Sequence, residues 1–309
     1  MSEMAQAQAT QGGTQAAGVI HDLGYRSYDG PRLGRAQIVQ ALIWHSFRSS
    51  WGIGRGIKAK IIPILAMVAM LLPAFVNAFA VARGNARLFG YDVYTPQLRV
   101  LVVIIFIAAQ APELVSRDLR SHVLPLYFSR PLRRDDYPLA KYIALTLALL
   151  VLIEVPLLVL YVGTIVSAKN GHGVWNETKA LIPGLGVGLL WAVLMAAIGL
   201  VLASLTGRRA YATGFVAIAC VLTFTVSLLL IQAEGGTNGP TYTTGAQIAG
   251  LFSPFTILDG VRIWLGGKSP GFDPPTLGHF GPVYGVVFVL LLAACLGGLA
   301  ARYRKVSRS

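Results

Sequence analysis

Charge is scarce in this chain. Asp, Glu, Lys and Arg make up 13% of its 309 residues, against 55% apolar side chains and a mean hydropathy of +0.63. A soluble domain of this size cannot cover its surface with so few polar groups, so a bilayer must be the solvent for most of it. Cysteine is scarcer still: Cys220 and Cys295 both sit inside apolar runs. That excludes a disulfide framework, a CxxC pair and a Cys/His zinc pattern. The five histidines, at 21, 45, 122, 172 and 279, lack ligand spacing, and no nucleophile or acid/base grouping accompanies them. The reading is of a chain with no metal site that catalyses no chemistry itself. Acidic residues number 13 against 26 Lys plus Arg. In a membrane protein that excess speaks of orientation, not of nucleic acid.

A hydrocarbon core about 30 Å thick takes about 20 mostly apolar residues per helix. Six segments qualify, at 61–82, 98–117, 142–166, 181–205, 210–231 and 282–301. The fold class expected is an all-α membrane protein, with a six-helix transmembrane domain over 61–305. Six spans place both termini on one side. Nineteen Lys and Arg fall on that side and seven on the other, so both termini, including a short tail at 306–309, are expected in the cytoplasm of a multi-pass cell-membrane protein.

No signal peptide is recognisable at the start. Residues 1–33 open on Ala, Gln, Gly and Thr, too polar to offset their own ordering entropy, and read as a disordered cytoplasmic tail. Over 34–60, Val39, Ile43, Phe47 and Trp51 recur every fourth residue with Trp44 beside them, while Arg35, His45, Ser46, Arg48 and Ser49 take the opposite arc. This is an amphipathic helix suited to the inner headgroup layer. The stretch before the last span is apolar in its middle but interrupted by Pro254, Asp259, Gly260 and Arg262. It reads as a re-entrant helical hairpin dipping in from outside, since broken backbone at membrane depth survives only under cover of protein or a water cavity.

Two patterns are decoys. Gly267-Lys268-Ser269 lacks the glycine five positions upstream that a phosphate-cradling loop needs, because Arg262 stands there. Gly184, Gly186 and Gly188 lie in the fourth span with no strand before them and suit close helix packing. Two carboxylates lie within spans. Glu113 is near the cytoplasmic end of the second, in reach of water or of a basic residue such as Arg117 at i+4. Glu154 is near the middle of the third, where a charge is costly enough to imply a paired or functional role. An ion-coupled secondary transporter or channel using Glu154 is therefore the alternative, although no inverted repeat supports it.

The loop after the second span runs Ser116-Arg117-Asp118-Leu119-Arg120-Ser121-His122-Val123-Leu124-Pro125 and on through Pro131, Arg133 and Arg134 to Lys141. Leu119, Val123, Leu126 and Tyr127 give a short helix one apolar side, which invites a cytosolic partner. At this point the chain resembles the permease subunits of ABC transporters of the type-2 exporter class. Those carry an acidic residue, a short coupling helix, a proline, a basic residue and a lysine opening the third span. Asp118, Arg120-Ser121-His122, Pro131, Arg133 and Lys141 fall at those positions, with Asp for the usual Glu and Ser-His for the usual Gly-Thr. Leu202-Ala203-Ser204-Leu205 running into Arg208 and Arg209 is similar to the family's turn between the fourth and fifth helices. Ser253-Pro254-Phe255 with Asp259, Gly260 and Arg262 is similar to its broken external helices.

The resemblance covers about residues 34–305. It implies a permease that pairs with a second permease, the same chain or a homologous one, and docks two separate ATPase subunits through Asp118, Leu119, Arg120, Ser121 and His122. ATP and Mg would be bound by those ATPases and no cofactor by this chain. The substrate implied by apolar spans is an amphiphile, handled among membrane lipids; no nucleic acid is involved.

Overall fold

The computed structural model describes residues 30, 34–84, 88–92, 94–120, 133, 135–167, 171–234, 243–267 and 280–306, with backbone alone at 117–120, 305 and 306. The expected tails at 1–33 and 306–309 therefore lie outside the described residues, apart from Gly30 and Val306. The compact unit is Gly34–Ser309. Its described elements are α1 (Arg35–Ser50), α2 (Ile57–Ala82), α3 (Pro96–Arg120), α4 (Asp136–Val166), α5 (Gly171–Ser204), α6 (Arg209–Ala233), α7 (Thr244–Ala249), a 3-10 turn (Gly250–Phe252), α8 (Pro254–Trp264) and α9 (Phe280–Val306). No strand occurs among the described residues.

Six of these helices, α2, α3, α4, α5, α6 and α9, are long and apolar enough to cross a membrane. The protein is an all-α membrane protein. The end of the bundle where α3 finishes and α4 starts is termed the foot, and the opposite end the head. α3 is the most enclosed of the six, while α2, α6 and α9 leave most of their surface free. Van der Waals packing between lipid-solvated helices needs small residues at the contacts. Gly163 of α4 lies so close to Ala78 of α2 that a Cβ there would overlap the Ala78 methyl, and Gly199 of α5 packs on Ile107 and Ala111 of α3. Of the glycine run in α5, Gly184 abuts Tyr91 and Gly188 abuts Ile153 and Glu154, whereas Gly186 faces open space.

α1 packs against α4, with Leu42, Ser46 and Ser50 buried and Val39, Ile43, Phe47 and Trp51 half-buried on the core. The expected polar arc is thus corrected at Ser46, which is fully enclosed. Residues with small side chains let α1 approach the bundle, and Trp44 is left exposed instead. α1 ends at Ser50, and α2 begins at Ile57 after a turn in which Gly52 and Gly54 hold positive φ.

The interrupted segment before the last span is a broken helix. α8, at about 16 Å for 11 residues, is too short to cross. The break is re-satisfied by side chains: Ser253 Oγ accepts from Phe255 N–H (3.3 Å), Ser227 Oγ donates to Ala249 C=O (2.9 Å), and Thr256 Oγ1 donates to Gly250 C=O and to Ser253 C=O (3.0 Å). Tyr284 of α9 donates to Gln247 C=O at 2.6 Å. This is how irregular backbone is tolerated without water. Ser253, Asp259 and Arg262 are all buried, as is Pro254.

Candidate functional site

The segment expected to dock a partner lies mainly outside the described residues. Asp118, Leu119 and Arg120 end α3 as backbone, and Ser121, His122 and Pro131 are not described. Its frame, however, is. Arg133 is exposed, and its N–H donates to Asp136 Oδ2 at 2.9 Å. Arg35 of α1 donates to both Asp136 oxygens, at 2.7 and 2.6 Å. Arg304 of α9 does the same to Asp135, at 3.0 and 2.9 Å, and this guanidinium holds the Asp135 carboxyl below the usual carboxylate range. Tyr137 packs on Tyr303, and the buried Lys141 sits over the Tyr137 ring. Two consecutive carboxylates at the start of α4 thus bind the first and last described helices.

On the other flank, Glu113 is buried near the end of α3 and pairs with Arg55, from the turn between α1 and α2, and with Arg209, which opens α6 (2.8 Å). Ser116 donates to Ala203 C=O at 3.0 Å, tying α3 to the end of α5. The side chain of Arg117, the expected i+4 partner, lies outside the described residues; the partners shown come from the turn before α2 and from the start of α6. A carboxylate in a nearly dry site gains most from such charge-assisted contacts.

Nearer the head is a second group of charges inside the bundle. Arg262 of α8 donates to Asp259 (2.7 Å) and to Asp92 (3.2 Å). Arg99 of α3, 3% exposed, lies with its guanidinium 4.5 Å from the Trp191 ring of α5. Asp259, Arg262, Asp92 and Glu154 all act on Arg99 electrostatically. Glu154 of α4 has its carboxylate against Gly188 of α5, where any Cβ would strike it, and no ion pair forms with Arg99. Sequence reasoning placed Asp259, Arg262 and Glu154 but missed Arg99, counted only as a flank charge. Its position inside a 20-residue apolar run was the available signal. Among the described residues no group of three or more His, Cys, Asp or Glu could hold a metal.

The family model of the ABC-2 family transporter proteins matches residues 86–252, from just before α3 to the 3-10 turn. The chain belongs to this family. It is a permease of the ABC transporter type, and the match takes in the segment expected to dock a partner, both foot clamps on α3 and α4, and Glu154. No individual curated protein matches the sequence. In the permease, α3 and α4 flank the segment expected to dock a partner, and each is pinned at its foot by arginines from other elements. These ion pairs join the end of α3 to the turn before α2 and to α6, and the start of α4 to α1 and α9.

Proposed function

We propose that this permease is the transmembrane half of an ATP-driven exporter, working as a pair with a second permease and driven by two separate ATPase subunits that bind ATP and Mg. The observation that supports this reading most is the clamped foot: the end of α3 and the start of α4, which flank the docking segment in the sequence, are fixed by Arg55 and Arg209 and by Arg35 and Arg304. A push on such a segment is carried by rigid helices toward the head rather than absorbed locally. The foot, and with it both termini, faces the cytoplasm of the cell, a reading that the excess of Lys and Arg on that side supports. Asp118, Leu119, Arg120, Ser121 and His122 form the docking surface, with Pro131, Arg133 and Lys141 setting its return into α4. α7 and α8 dip in from the outside, and the substrate is an amphiphile.

Co-expression with the ABC ATPase subunits of its own cell, followed by detergent pull-down, tests the proposal. A stable complex is expected, with ATP hydrolysis only in the complex. Asp118→Ala and an Arg120→Ala/His122→Ala pair should abolish coupling and leave the permease inserted. Normal coupling in both variants, or full transport by the chain alone, overturns it. Transport that follows pH without ATP and is lost in Glu154→Gln would favour an ion-coupled carrier instead.

A further inference from the structure

Buried polar atoms without partners are rare, and each one marks a group that something else must satisfy. Several occur among the described residues, and four of them are linked: Thr95 Oγ1 just before α3, Arg99 Nε of α3, Trp191 Nε1 of α5 and Glu154 Oε2 of α4; Thr146 Oγ1, also on α4, lies two turns from Glu154 and outside this group. The four are not scattered. Arg99 stacks on the Trp191 ring, Gly188, which touches the Glu154 carboxylate, lies one helical turn before Trp191, and Arg99 and Glu154 sense each other's charge without touching. Thr95 lies one turn before Arg99, whose N–H donates to its carbonyl at 2.8 Å. Its φ of +38° is a conformation that a β-branched residue adopts only under constraint. Arg99 and Trp191 are each more than nine-tenths buried, and Glu154 is half-buried with its Oε2 enclosed.

We propose that Arg99, Trp191, Glu154 and Thr95 form a binding site for the uncharged, hydroxyl-bearing headgroup of a lipid. The donor and acceptor pattern selects the ligand. Arg99 Nε–H and Trp191 Nε1–H need acceptors, the Glu154 carboxylate needs a donor, and Thr95 takes either role. Only groups that both donate and accept satisfy all four, and neighbouring hydroxyls do so. A phosphate would satisfy the two N–H groups but meet Glu154, with Asp259 and Asp92 close behind, against only Arg99 and Arg262. An ammonium group would satisfy Glu154 and leave both N–H donors empty. The site needs only this chain and stands whether or not the ATPase reading holds.

The test uses the full chain in phosphatidylcholine nanodiscs, titrated with glucosyl-diacylglycerol or with phosphatidylglycerol, with retained lipid read by native mass spectrometry. Wild type is expected to retain the glucosyl lipid in preference to the other two. Trp191→Phe keeps an aromatic ring beside Arg99 but removes the N–H together with part of the buried indole, so its binding loss counts only where the variant's thermal stability in the nanodisc and its phosphatidylglycerol binding match wild type. It should weaken glucosyl-lipid binding about tenfold, the loss of one buried hydrogen bond, and leave phosphatidylglycerol unchanged. Glu154→Gln should act likewise. If Glu154→Gln does not fold, Trp191→Phe decides alone. Equal binding of the three lipids, which is the result if water alone fills the site, or an unaltered glucosyl-lipid affinity in Trp191→Phe, overturns the proposal.

Discussion

Glu113 Oε2 lies 2.8 Å from Arg209 Nη1 while Oε1 is taken by Arg55, so one carboxylate on α3 joins the turn before α2 to the start of α6. Glu113→Gln keeps the shape and removes the charge. Because Arg55 and Arg209 are partly exposed, at 23% and 58%, and regain water when released, the expected cost is moderate, about 1–3 kcal/mol. Thermal unfolding of the detergent-solubilised permease measures it. A loss under a few tenths of a kcal/mol would show that packing, not charge, holds this end of α3.

The Asp135–Arg304 pair sets a pH limit on how α9 is held. The folded carboxyl titrates below its unfolded value, so its contribution is complete above about pH 4 and fades as the pH falls through the lower folded value. The mobility of a spin label attached near the end of α9 should be flat from neutral pH to about 5 and rise only in stronger acid. In Asp135→Asn the acid-range rise should be absent. Persistence of that rise in the variant would assign it to another carboxylate.

Gly163→Leu should separate α4 from α2, because even a Cβ at this position overlaps Ala78. Overpacking of this kind costs about 1–3 kcal/mol. Disulfide crosslinking between cysteines placed on the two helices should fall in the variant. Unchanged crosslinking would mean that the helices do not meet at this glycine.

Trp191 is 1% exposed and touches both Phe255 of α8 and Arg99. Trp191→Ala should cost about 3 kcal/mol or more through the cavity it leaves. Protease sensitivity of the 254–264 region should increase with it. Stability equal to wild type would remove Trp191 from the core.

The spans were legible because an apolar run must match the bilayer in length, and no partner is needed to see it. Their ends were less so. α4 begins at Asp136 and not near 142, because Asp136, Tyr137 and Lys141 are covered by α1 and α9, which lie far off in sequence. α5 starts at Gly171, ten residues before its apolar run, where Glu177 accepts from Tyr91 and Thr178 shares a hydrogen bond with Tyr161. Glu113 was recognised, but Arg55 and Arg209 stand 58 and 96 residues away from it, and helix periodicity offers only i+3 and i+4 neighbours. Arg99 was passed over as a flanking charge although it lies four residues into a helix. The order of residues in the segment after the second span carried the resemblance to the family, because residue order can be read without knowing any distance.

Arg35 and Arg304 grip adjacent residues at the beginning of α4. Fluorophores attached at the start of α1 and at the end of α9 would consequently keep a fixed separation for as long as both arginines hold. A change in their energy transfer would report the release of either grip, without any label placed in the membrane interior.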